Sequence, residues 1–186
     1  MPFLAEKRVP IPNKDILSWM FDERKFDQDK PLYYPMLFLG IVATGGVFAG
    51  SNPAYTKFEL SHHFKASSTK LIITEPEFLP AVVAAANECG IQSSSILILD
   101  SQNEDIPSGF VSWKTLMKHG EKDWIRFNDE QVSRKTTAAR LFSSGTTGLP
   151  KPAAVSHYNF IAQHTLVNEV HKTDYEVRFR SPRSSS

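Results

Sequence analysis

Apolar positions recur along this chain first at helical and then at strand spacing, and the two patterns take turns. After Asn52, Thr56 and Glu59 are spaced as a capping box, and Leu60 and Phe64 fall four apart on one helical face. Lys70 to Thr74 reads as a strand. A helix then runs to about Cys89, with Leu79, Val83 and Ala86 turned inward, Pro80 in its first turn and Gly90 placed to end it. Ile96 to Leu99 supplies the next buried strand. Strands separated by helices of about ten residues predict βαβ units, and so an α/β chain with a mostly parallel sheet and flanking helices.

The pattern is less regular elsewhere. Leu32 to Ala49 is a run of eighteen uncharged residues, the lower limit for a membrane span. Pro35, Gly40 and Gly45-Gly46 interrupt it, so it reads instead as a short buried helix between Met36 and Ala43 followed by a buried strand at Gly46 to Ala49, with no transmembrane span. Ile16 to Phe21 predicts a helix beginning near Asn13 or Asp15. Between Ser101 and Arg134 the text is loop-like, with Trp113, Trp124 and Phe127 covering an edge of the core. Thr137 to Phe142 reads as a short strand. Asn159 to about His171 makes an amphipathic helix with Phe160, Ile161, Val167 and Val170 near one side.

Composition narrows the function classes. The chain has 186 residues, enough for one domain with a real core. Its 21 basic and 20 acidic residues leave a net charge of +1, which gives no general attraction to nucleic acid, so no nucleic-acid partner is expected. Cys89 is the single cysteine; it excludes an internal disulfide, suits a reducing compartment and reads as filler on a helix face. Glu6, Lys7, Arg8, Pro10 and Pro12 leave no room for a secretory signal core, so an intracellular, cytoplasmic location is expected. His62 and His63 point about 100 degrees apart on a helix, poor geometry for joint metal ligation, and read as surface or boundary residues. His157, His164 and His171 recur every seven residues, but that spacing advances a helix by roughly 10.5 Å, too far for two imidazoles to share one ion. No metal site is therefore expected from these residues. The last ten residues, 177–186, read as a disordered tail.

Candidate chemistry is concentrated in Leu141-Phe142-Ser143-Ser144-Gly145-Thr146-Thr147-Gly148-Leu149-Pro150-Lys151. Glycines remove the Cβ atoms that would keep a polyanion from backbone N–H groups, the Ser and Thr hydroxyls add donors, and the lysine adds positive charge. The string does not supply the Gly, four residues, Gly-Lys-Ser/Thr of a Walker-type loop.

This stretch, with His157-Tyr158-Asn159 shortly after it, resembles the phosphate loop of the adenylate-forming (AMP-binding) superfamily of acyl-CoA synthetases, 4-coumarate-CoA ligases, luciferases and peptide-synthetase adenylation domains. Phe38-Leu39-Gly40, Gly45-Gly46-Val47-Phe48, Asn52-Pro53-Ala54-Tyr55-Thr56 and Ser156-His157-Tyr158-Asn159 fall in the order used by its fungal 4-coumarate-CoA-ligase-like branch. The resemblance implies that 32–176 is part of an AMP-binding domain behind an N-terminal segment, 1–31. It implies an acid-CoA ligase in which ATP activates a carboxylic acid through acyl-AMP and coenzyme A then forms the thioester, with magnesium assisting. The acid would be a small molecule such as a hydroxycinnamate, another aromatic acid or a fatty acid. Ser143, Ser144, Gly145, Thr146, Thr147, Gly148 and Lys151 match the loop that holds ATP phosphates, and His157 could line the cleft; none is a catalytic group. Arg140 stands where the family usually has an apolar residue. A segment of strands and a helix expected between Pro31 and Tyr33 is missing, as a skipped exon or incorrect gene model would leave it. The resemblance also stops before the family's adenine, magnesium, ribose and catalytic-lysine motifs, so this chain alone is expected to be inactive, or else a non-catalytic nucleotide-binding or interaction fragment. Relatives in this branch often carry a peroxisomal address, whereas Ser184-Ser185-Ser186 is not one.

Overall fold

The computed structural model describes residues 11–16, 33–100, 104–143 and 149–170. The predicted helix at Ile16 to Phe21 beyond its first residue, the junction at residues 31 and 32, most of the phosphate loop and the tail lie outside them. The described elements run α1 (Tyr33–Ala43), α2 (Lys57–Ser67), β1 (Ile72–Thr74), α3 (Leu79–Glu88), β2 (Ile96–Ile98), β3 (Val111–Ser112), α4 (Glu130–Lys135), β4 (Thr137–Ser143), β5 (Lys151–Ser156) and α5 (His157–Val170).

The predicted βαβ pattern is present. β1 pairs in parallel with β2 (Ile72 with Ile96, Thr74 with Ile98), and β2 pairs in parallel with β3 (Leu97 with Val111). β2 is buried along its whole length because it lies between two strands and beneath helices. Its Ile96 and Ile98 meet Leu60 and Phe64 of α2 and Leu79, Val82, Ala85 and Ala86 of α3 in one apolar cluster. Ala85 and Ala86 are completely buried, and side chains that small let α3 pack close to its neighbours. Val83, expected inside, is only partly buried at the margin of this cluster, while Val82 and Ala85 take the central places. Cys89 sits at the end of α3, packed at the same margin, as a filler would.

The predicted capping box opens α2. Thr56 Oγ1 accepts the Glu59 amide at 3.4 Å, and Glu59 Oε2 accepts the Thr56 amide at 2.8 Å. The Thr56 amide and the Thr56 hydroxyl, both donating to Oε2, hold the Glu59 carboxyl below the usual carboxylate range.

Several expectations are corrected. α1 forms as an eleven-residue helix, but Tyr34 and Met36 are about three-fifths exposed; Val42 is buried, and Phe38, Leu39 and Ala43 are partly buried against the same cluster, so the helix lies half on the surface. It stops because Gly45, at φ +76°, donates to the Val42 carbonyl while Gly46 donates to Ile41, a Schellman ending. A side chain at Gly45 would also run into Ile125. The strand expected at Gly46 to Ala49 reduces to a single parallel bridge between Phe48 and Ala139. The loop-like stretch from 101 to 134 contains β3, a 3-10 turn at Trp113–His119 and α4. Trp113 is buried there, and Trp124 packs against a second cluster of Ile16, Val42, Ala138 and Ile161. α5 begins two residues earlier than expected, because Ser156 and Asn159 exchange hydrogen bonds across its first turn. Val167, expected on its inner side, is 37% exposed, whereas Thr165 is buried. Among the described residues no helix is long and apolar enough to cross a membrane.

Candidate functional site

The second sheet consists of two strands on either side of the run Ser144 to Gly148. β4 runs as predicted from Thr137, and β5, which the sequence did not announce, returns antiparallel to it. Lys-Pro-Ala-Ala-Val-Ser has no β-branched alternation, and its proline argues against an interior strand. It is a strand because it pairs antiparallel with β4, where Pro152 lies opposite Phe142 in the ladder.

Ser143 and Lys151 are the last partners in that ladder, one on each side of the loop's mouth. Both are exposed, and Lys151 has no ion-pair partner among the described residues. A serine and a lysine with no ion-pair partner among the described residues therefore stand opposite each other in the ladder where the Gly/Ser/Thr-rich segment leaves the sheet. Ser144, Gly145, Thr146, Thr147 and Gly148 lie outside the described residues. The described residues include no group of three or more His, Cys, Asp or Glu side chains that could hold a metal ion.

His157 is placed elsewhere. It is 4% exposed at the start of α5, where its Nδ1 accepts the Ile16 amide at 3.2 Å and its ring meets Phe127 edge-on at 5.0 Å. Burial pushes its pKa down, against a smaller upward pull from Asp15. Asp15 itself exchanges backbone and side-chain hydrogen bonds with Phe127, and Ser133 Oγ donates to Lys14. His157 thus ties Ile16 to the base of α5, while Phe127 and Ser133 hold Asp15 and Lys14.

Three residues near the loop were not singled out as site residues from sequence. Arg140, the apparent misfit in β4, donates through Nη1 to the Ser67 carbonyl at 2.6 Å and to Ala66 at 3.5 Å. These carbonyls at the C-terminus of α2 lack helical partners, so the guanidinium caps that helix from the neighbouring strand. His62 reaches Pro150, beside Lys151. His63, expected at a surface or boundary, is buried at 2% exposure and stacks on Phe142, beside Ser143. No local pattern could have shown these contacts, because their partners lie 73 to 88 residues away.

Comparison with known proteins identifies the family. The family model for AMP-binding enzymes matches residues 30–182. Two curated relatives from Aspergillus niger, acyl-CoA ligase azaF and phenylacetyl-CoA ligase epaB, are 35% and 34% identical over 225 residues, each match covering 95% of this chain and 42% of the relative. The chain thus spans about two-fifths of their length. Since 95% of 186 residues fills fewer than 225 positions, these relatives also carry residues inside the matched span that have no counterpart here. Among solved structures, ATP-bound MatB from Rhodopseudomonas palustris superposes with a TM-score of 0.56 at 27% identity, covering 75% of this chain and 26% of that one. The βαβ unit, the loop-bearing hairpin and a match over most of the sequence together place the chain in the AMP-binding enzyme family.

Proposed function

We propose that the loop from Ser143 to Lys151 binds the polyphosphate of ATP, and that the enzyme to which this chain corresponds activates a carboxylic acid through acyl-AMP to a coenzyme A thioester. The observation that supports this reading is the Ser143–Lys151 pair, which sets an exposed lysine, without an ion-pair partner among the described residues, opposite a serine at the two ends of a glycine-rich segment. Ser144, Thr146 and Thr147 would add hydroxyl donors, and Gly145 and Gly148 would leave backbone N–H groups open to phosphate oxygens. A loop of this kind binds and orients. It helps the reaction by holding the triphosphate still and neutralising charge that grows on the departing pyrophosphate. None of its residues serves as a nucleophile.

Magnesium fits as an ion carried in with the nucleotide, since the described residues offer no clustered acidic ligands of their own. The acid is proposed to be a small aromatic or fatty acid, with hydroxycinnamates in range; the names of the two relatives, an acyl-CoA ligase and a phenylacetyl-CoA ligase, support that class. The 186 residues alone are proposed to bind nucleotide without turning it over.

The test is calorimetric titration of the chain with ATP and magnesium, alongside ATP–pyrophosphate exchange with hydroxycinnamic, phenylacetic and fatty acids. Binding that Lys151→Ala weakens about 10- to 100-fold is expected, the range for loss of a charge-assisted hydrogen bond. No exchange should be seen. Exchange by the wild-type chain would refute the claim of inactivity, and equal ATP affinity in Lys151→Ala would refute the placement of the phosphates.

A further inference from the structure

Helix α2 carries two adjacent histidines that hold opposite strands of the loop-bearing hairpin. His62 Nε2 lies 2.8 Å from the carbonyl oxygen of Pro150. A carbonyl can only accept, so Nε2 carries the proton and donates it. The His63 ring stacks on Phe142 with centroids 3.8 Å apart and planes 28° from parallel. Its Nε2 faces the Gly50 carbonyl at 3.2 Å and its Nδ1 faces Ser51 Oγ at 3.2 Å, a pattern met by the neutral ring donating to Gly50 and accepting from Ser51. Burial lowers the pKa of His63, in keeping with that neutral form.

Phe142 immediately precedes Ser143, and Pro150 immediately precedes Lys151. Each member of the pair at the loop's mouth therefore has its preceding residue gripped by one of these histidines. The divergence of about 100 degrees between successive helix positions, which makes the two rings poor partners for one metal, is what lets them reach two strands. Their roles differ. His63 is enclosed in the fold, whereas His62 is half-buried and hydrogen-bonds the main-chain oxygen of Pro150. The oxygen it grips belongs to the planar peptide joining Pro150 to Lys151, so holding that oxygen fixes the plane from which Lys151 departs.

We infer that His62 is a positioning residue for the phosphate loop: its Nε2–H, through the Pro150 carbonyl, sets the direction of Lys151 and the spacing of the loop's two ends. It touches no phosphate itself. This inference rests on the phosphate-binding reading above for its consequence in affinity, but its structural part can be read without any ligand.

The experiment uses the full chain as wild type, His62→Ala, His62→Gln and His62→Asn. A glutamine amide can place an N–H where Nε2 stands, and the shorter asparagine cannot. Hydrogen exchange of the segment Ser143–Lys151 is measured without ligand, ATP affinity by calorimetry, and the thermal midpoint as a control on folding. Expected are a midpoint near wild type, faster exchange confined to that segment and about 3- to 10-fold weaker ATP binding in His62→Ala, the range for one neutral hydrogen bond. His62→Gln should restore both readouts. If His62→Ala does not fold, the contrast between Gln, behaving as wild type, and Asn, loosened, carries the same test. Unchanged exchange in the Ala or Asn variant, or failure of Gln to restore what Ala loses, overturns the inference. A wild-type chain that binds no ATP refutes the phosphate reading, and the exchange comparison still decides the role of His62.

Discussion

Arg140 Nη1 donates to the carbonyl oxygen of Ser67 at 2.6 Å, so a charged side chain in a strand closes the end of a helix 73 residues earlier in the chain. The same helix starts with its own capping box and ends with Ser68 in the left-handed region, its amide donating to Lys65 and Phe64; Arg140 adds a donor for the Ala66 and Ser67 carbonyls. Arg140→Leu restores the apolar residue that the sequence pattern favours at this position. It should nonetheless destabilise the chain, by about 1–3 kcal/mol, because carbonyls at the helix end lose their charged donor. Urea unfolding followed by circular dichroism measures this, and a Leu variant as stable as wild type would show that the cap contributes nothing.

His63 and His157 are both held below the ordinary histidine value of 6.5, each chiefly by burial. In the unfolded chain both take up protons near that value while the folded chain still excludes them, so the unfolded state binds more protons there. Stability is therefore complete above about pH 6.5 and falls as the pH drops below it, until the folded-state values are reached. The urea midpoint should be lower at about pH 5.5 than at about pH 7.5, and His157→Asn, whose amide oxygen stands near the place of Nδ1 and can still accept the Ile16 amide, should narrow the difference. An undiminished difference in that variant would remove His157 from the account.

Ile161 and Val167 lie on the same helix, and periodicity assigns both to its inner side. Ile161 is fully buried against Val42 and Ala138, whereas Val167 is 37% exposed. Ile161→Ala should cost about 2–5 kcal/mol and Val167→Ala no more than about 0.5 kcal/mol, as measured by thermal or urea unfolding. Similar losses at the two positions would mean that the inner side of α5 is the one expected from the sequence.

Lys57 and Lys65 of α2 both pair with Glu88 of α3 at 3.2 Å, and all three side chains are well exposed. Hydrogen bonds from Lys57 and then Lys65 hold the Glu88 carboxyl below its usual range. Water screens such pairs, so the packing of α2 on α3 rests on Leu60, Phe64, Val82, Ala85 and Ala86 rather than on these charges.

Local patterns were enough for the elements whose signals are local. The Thr56–Glu59 box, the strands around Ile72 and Ile96 and the helix between them follow from neighbours within four or five residues, and so were legible in the sequence. The family was legible too, because the run from Ser143 to Lys151 is a signal carried by adjacent small and hydroxyl residues, whatever surrounds it. What the sequence could not show depends on groups far apart along the chain. β5 is a strand because a hairpin closes onto β4, Arg140 is at home because Ser67 lies beneath it, and two histidines that look like boundary residues grip the hairpin that carries Ser143 and Lys151. Only the tertiary structure decides such contacts, since a hydrogen bond or a stacked ring depends on where the backbone brings two groups and not on how either one reads among its neighbours.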